Sequence, residues 1–354
     1  MTPPPPLVRL LTMTSTARRR WTRELDSEVD GIAMGAEGPV LVHGYDAPAG
    51  GMWTDDAIPG KLGAMDRNTG EILWSSPCEV GYGRGFGAGF GSAGEVIVLG
   101  PGTHGHRIVQ LDVDTGRLIA AETIEPFDAA LVYEDVCICA SAGSVMAIST
   151  SVMKPAWRFA LPGHRIHQIA RSGEQILVLH SDKKSKQKGV VALDAITGSV
   201  ARTVVPTTLS EAHAMVVNGN QMVLLSADVA GHLPNELAGQ FLGELSQHEG
   251  NHGDIAVDRL TLLGFSLDGS AGIANWYHIL AATGQEVPDV LITADSEKLY
   301  MADGALVEVR DLLTGRALGD WTIPGLDEQV AWDVAHGAGL VAEEHRLSIF
   351  ELPA

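Results

Sequence analysis

The chain has 354 residues, 45% of them hydrophobic and 19% charged, a balance that supports a large buried core and excludes a disordered chain. Its 24 Lys and Arg stand against 44 Asp and Glu, a formal net charge of −20 that repels phosphate backbones and anionic bilayers, so neither nucleic acid nor a membrane surface is expected as a partner. No run reaches the roughly 18 apolar residues needed to span a bilayer.

Residues 1–20 open on PPPP (3–6), which stays extended. The apolar run that follows, LVRLL (7–11), is short and has no small-residue cleavage site after it, so a disordered leader is expected rather than a secretory signal. RWTREL (20–25) then reads as a strand. AMDRNTGEILW (64–74) is the first clear copy of a phrase that returns as LDVDTG (111–116), LDAITG (193–198), SLDGSAGIANW (266–276) and RDLLTG (310–315). Aligned on the Asp position, the anchors are Asp66, Asp112, Ser149, Asp194, Asp268, Asp311 and Glu351, at intervals of 46, 37, 45, 74, 43 and 40. A period near 42 is that of a four-stranded propeller blade. The interval of 74 is one blade with an insertion at about 227–258.

Each unit has the same grammar. An apolar, branched run such as EQILVLH (174–180) makes a strand, and a second strand ends in the Asp-x-x-Thr-Gly turn. There the carboxylate accepts turn N–H groups and Gly takes a positive φ. Trp74, Trp157 and Trp276 lie eight residues beyond the anchor, on the outermost strand; Trp321 lies ten beyond, and Ala120 and Arg202 stand where two other repeats would have Trp. LSIFE (347–351) ends the chain one strand short, so the strand bearing Trp21 is expected to close the last blade and remove the open edges of the ring. The fold expected is all-β: a seven-bladed propeller over residues 21–354, with eight blades the alternative if the insertion hides a further repeat.

The phrase resembles the pyrroloquinoline-quinone-like (PQQ-like) propeller repeat, Ala-x-Asp-x-x-Thr-Gly-x-x-x-Trp. Quinoprotein dehydrogenases carry that repeat, as does the lipoprotein propeller of the bacterial outer-membrane assembly machine. The resemblance implies the fold, because the matched residues are structural. Quinone-binding members also use adjacent cysteines and a calcium site. This chain has Cys78, Cys137 and Cys139 and no Cys-Cys pair, so bound PQQ is not expected. With no signal peptide or lipidated Cys read at the N-terminus, and with few cysteines, a cytoplasmic protein with reduced thiols is expected.

Loops between second and third strands, and loops joining blades, share one face, here the top; the Asp-x-x-Thr-Gly turns open on the bottom. The variable top loops are where function is expected. At equivalent innermost positions of adjacent blades stand His167 and His213, candidate catalytic groups for proton transfer or metal binding. His164, Asp128, Asp289 and Asp333 lie near the same ring as candidate binding residues. So does Arg84, at the start of RGFGAGFG (84–91), a glycine run with no helix after it and so no dinucleotide loop. HEGNHGD (248–254) brings His248, His252 and Asp254 to ligand-like spacing for a divalent metal, although Gly250 and Asn251 argue against a continuous helix. KKSKQK (183–188) is a basic knuckle on an acidic chain. In LPNELAGQFLGELSQ (233–247), Leu233, Leu237, Phe241 and Leu245 form an amphipathic helical stripe, expected as a lid over the channel mouth or as an oligomer contact. The function expected is a module that recognises a small molecule or protein through its top face. The alternative is an enzyme of lyase, hydrolase or isomerase type with a histidine-rich, metal-dependent site there.

Overall fold

Segments that are apolar at nearly every position, such as Val40–Tyr45, Glu95–Gly102 and Gln175–Asp182, become strands buried on both faces. Such strands can only sit between two neighbouring sheets. In a computed structural model they do: it describes residues 15–35, 38–46, 60–81, 85–227, 229–249, 260–280, 290–295, 297–326, 329–335 and 337–353. Seven antiparallel sheets follow one another around a ring. Their innermost strands are Glu28–Met34 (blade 1), Gly87–Phe90 (2), Ala129–Tyr133 (3), His164–Ser172 (4), Ala214–Asn218 (5), Val290–Asp295 (6) and Gln329–Ala335 (7). The eight-blade alternative falls away because Gln221–Ser226 pairs directly with Thr261–Ser266 across the insertion.

The ring closes as expected. Arg18–Glu24 pairs antiparallel with Arg346–Glu351, Trp21 lying opposite Ile349, and supplies the fourth strand of blade 7. One boundary differs from the expected leader of 1–20. Ser15–Thr16 already pairs in parallel with the outer strand of blade 6, and Ala17 donates its N–H to Thr322 O at 2.9 Å. The open edge of blade 6 passes within reach of the chain on its way to blade 7, and pairing satisfies both backbones. Residues 1–14 lie outside the described residues.

The repeated phrase is a joint between blades. In the turn of blade 4, Asp194 Oδ1 accepts the N–H of Thr197 at 2.7 Å and its hydroxyl at 2.8 Å, and Gly198 turns the chain at φ 69°. These donors hold the carboxyl of Asp194, like those of Asp66, Asp112 and Asp311, below the usual carboxylate range. Trp157 of blade 3 lies on that glycine: a Cβ on Gly198 would come within 2.4 Å of the indole, whose Nε1 donates to Ala195 O at 2.9 Å. Trp21 on Gly70, Trp74 on Gly116 and Trp276 on Gly315 repeat the arrangement, each indole bonding the carbonyl just after the turn's Asp.

The irregular copies follow from the same contact. Blade 2 has Ala120 in the Trp place. The facing turn of blade 3 has Met153 at φ 52° where the others have Gly, and that buried methionine fills the space an indole would take. Blade 4 has Arg202, and Pro206 covers Gly272 instead. Blade 6 faces blade 7, which is closed by a chain end and has no such turn. Trp321 there packs with Tyr300 at 5.5 Å between ring centroids, in a core that includes Ala17 and Phe350.

The insertion forms a short turn at Ala230–His232 and a helix, Asn235–Glu249, with Glu236 favourably placed at its positive end. Its apolar stripe is spent within the chain. Leu233 and Phe241 are buried, and Phe241 meets Tyr277 edge-on at 5.4 Å. His232 Nδ1 bonds Gly272 O, and its carbonyl accepts from Ala274. These partners lie on the outer strand of blade 5 or the turn leading to it. Among the described residues, Leu233, Leu237 and Phe241 of the insertion thus pack into the core of blade 5 and brace its rim. No helix among the described residues is long and apolar enough to cross a membrane.

Candidate functional site

Blade 4 departs most from regular pairing where its innermost strand begins. Arg165 lies opposite Ser181 and Ile166 opposite His180, then the register slips and Gln168 lies opposite Leu179. His167 is the extra residue of a β-bulge, a device that re-aims a side chain. Its ring turns so that Nε2 lies 2.8 Å from Ser181 Oγ. Ser181 is in turn opposite Lys188 on the third strand. Residues directly opposite share a face. Arg165, Ser181 and Lys188 therefore form a row across three strands, with His167 bent toward it.

That row faces blade 5. Lys188 Nζ donates to Ala212 O at 2.5 Å, and beside it His213 Nε2 lies 3.4 Å from Glu211 Oε2. Burial, then Lys188 and Arg165, push the His167 imidazole below its ordinary range, and burial lowers Lys188 against the pull of Glu211. On the other face of the blade, His164 Nδ1 and His180 Nδ1 are 3.1 Å apart, with Asp182 4.0 Å from His164 Nε2. His180 is buried, and its pKa falls to about 4 through desolvation and the two neighbouring imidazoles. It is neutral at pH 7. Chemically, the row offers a hydroxyl beside an imidazole of lowered pKa, with two cations on the same face.

The expected site residues are distributed as follows. His167 and His164 belong to this cluster but on opposite faces of blade 4. His213 lies 3.4 Å from Glu211 Oε2, while His167 lies 2.8 Å from Ser181 Oγ, so each of the two expected histidines has its own partner. Asp128 is exposed just before the innermost strand of blade 3, its N–H bonded to Ala140 O. Asp333 is not on the top. It lies toward the far end of its strand, where Arg67 donates to Gly35 O at 3.0 Å and Ala335 O at 2.9 Å and so stitches blade 1 to blade 7. Burial raises Asp333 to about 6 against the N–H groups of Val334 and Met34, with Asp295 adding to the rise. His248 falls in the helix Asn235–Glu249, so helix runs through the first residues of the expected metal loop. Arg84, Asp289, His252 and Asp254 lie outside the described residues.

Glu28, Glu344 and His345, between blades 1 and 7, bring three ligand atoms within 4.8 Å of one another, a grouping the spacing in sequence did not suggest. Ser181, Lys188, Arg165 and His180 were also missed as a set. Their sequence signals are HSD (180–182), polar residues ending an apolar run, and the last lysine of KKSKQK (183–188).

Residues 59–201 match the family model described as outer membrane protein assembly factor BamB. BamB from Moraxella catarrhalis superposes with a TM-score of 0.52 at 11% identity, covering 96% of this chain and 98% of that one. The WD40 domain of Neurospora crassa Pan2 gives 0.61 at 12% identity, with 96% and 98% covered, and the computationally designed Ika8 protein 0.51 at 15%, with 96% and 99% covered. No curated protein matches the chain. The molecule is a seven-bladed β-propeller, and its repeat is PQQ-like.

Proposed function

We propose that this propeller is a cytoplasmic, non-catalytic scaffold that docks a protein partner on its top face, over the sector of blades 4 and 5. One observation carries the reading. The repeat residues are consumed by the bottom turns and the indole joints, whereas the top of blade 4 gathers exposed Arg165, His167, Lys183, Lys184 and Lys186 on a chain of net charge −20. Exposed side chains at a strand end and on a hairpin tip of a rigid ring are the usual material of recognition. The family description, an assembly factor, and the WD40 domain among the structural neighbours are in keeping with a scaffold. The cytoplasmic setting rests on the thiols of Cys78, Cys137 and Cys139, which are buried and unbridged and suit a reducing compartment.

A photo-crosslinking residue placed in living cells at Arg165 or Lys184 is expected to give a discrete adduct with one identifiable partner. The same residue at Leu73 or Ile196, exposed beside the bottom turns, is expected to give none. Adducts to that partner from the bottom positions, and not from the top, overturn the reading.

A further inference from the structure

The row on blade 4 has more donors than a general docking surface requires. Arg165 presents a planar fork of N–H groups, Lys188 an ammonium with donors beyond the one given to Ala212, and the hydrogen-bonded Ser181–His167 pair one further donor, the hydroxyl or the ring N–H according to which of the two donates to the other. They come from three neighbouring strands, and the bulge brings His167 onto the same face. A carboxylate has two oxygens to satisfy; a phosphate group has three terminal oxygens and a charge close to −2, and so matches this many convergent donors. Two carboxylates lie nearby, and only Glu211 acts on the row, through Lys188. Asp182, on the opposite face, accepts the N–H groups of Lys184 and Ser185 at 2.8 and 2.7 Å, and Glu211 lies against His213. Beyond the row, Lys183, Lys184 and Lys186 stand exposed on the hairpin tip, a local positive rim on an acidic molecule that draws an anion toward this row.

We propose that the top of blade 4 is a phosphate-binding site, with Arg165, Lys188 and the hydrogen-bonded Ser181–His167 pair as the donors. Resting on the docking reading for its biological setting, this makes a phosphate group the feature recognised there, either esterified on a partner or as the free ion.

The test titrates inorganic phosphate and phenyl phosphate into the full chain, followed by calorimetry and 31P NMR. Saturable binding of one equivalent is expected, with a dissociation constant on the order of 1 mM or tighter. Arg165→Glu is expected to weaken it by at least ~10-fold and Ser181→Ala severalfold. Lys184→Glu makes the same charge change on the hairpin tip and is expected to weaken it by less than ~3-fold, through long-range field alone. Phenyl phosphate binding as well as inorganic phosphate assigns an esterified group, and inorganic phosphate binding alone assigns the free ion; either supports the site. Failure to saturate, acetate binding as tightly, or Lys184→Glu as damaging as Arg165→Glu overturns it. The probes need no partner. Absent phosphate binding with the Lys184 cross-link intact therefore overturns this site and leaves the docking reading standing, and the reverse result does the opposite.

Discussion

An indole lying flat on a glycine is the joint on which this ring is built. At the Trp157–Gly198 contact, a Cβ meets both a ring 2.4 Å away and a backbone at φ 69°. Gly198→Ala is expected to cost about 3 kcal/mol, of which the left-handed φ accounts for about 1. In a Trp157→Ala background the clash is gone and only the backbone part remains, so a double-mutant cycle by chemical denaturation should show about 2 kcal/mol of coupling. Additive effects would mean that the two residues are not one joint. Met153 opposite Ala120 shows the same coupling already present in the chain. Two titrating residues oppose one another. The folded-state pKa of His180, about 4, lies below its ordinary value, so the unfolded chain binds the proton first and stability is lost as pH falls from about 6.5 toward 4. Asp333, at about 6 in the fold, binds its proton more tightly than the unfolded chain does. Its contribution is present below about 4 and is lost as pH rises through 6. His180→Phe should therefore flatten the acid loss, and Asp333→Asn should steepen it while raising stability at pH 7. Each effect is on the order of 2 kcal/mol, read from melting curves between pH 4 and 7.

Among elements, the N-terminal strand decides the most. Arg18–Glu24 covers the edge of Arg346–Glu351, brings Trp21 to Gly70 of blade 1, and so joins blade 7 to blade 1. Truncation through residue 24 removes a strand and a joint together and is expected to cost several kcal/mol. Truncation through residue 17 removes only the short pairing on blade 6 and the buried Ala17, and is expected to cost about 1–2 kcal/mol. Equal melting temperatures for the two would contradict this division. The closing strand was legible because its Trp and its missing partner at 347–351 are both visible in the chain. The pairing of Ser15–Thr16 was not, since a two-residue parallel bridge has no period of its own. The helix at Asn235–Glu249 was legible from its stripe at every fourth residue, but not the surface that receives it: Tyr277 and Phe241 lie 36 positions apart in sequence.

For the whole molecule, charge and repetition divide the labour. The bottom is a set of near-identical turns whose carboxylates are held by backbone N–H groups. The top varies, and blade 4 concentrates lysines and an arginine there against the sign of the chain as a whole. The three cysteines are sealed in the sheets, their thiols pushed up by burial, to about 11 for Cys78 and about 12 for Cys139, so they are unreactive partners in any top-face chemistry. The repeat period, the position of the turns and the closing strand were legible in the sequence alone, whereas the choice of seven blades over eight needed the pairing across the insertion. Each of the legible features depends on a spacing that recurs along the chain, an Asp, a Gly and a Trp at fixed offsets in successive repeats. Only the tertiary structure decided which polar residues meet. A single-residue bulge moves His167 from a channel pair with His213 to a hydrogen bond with Ser181. Strand register, which no count along the chain reveals, aligns Arg165, Ser181 and Lys188 in one row and sends Asp333 to the other end of the ring.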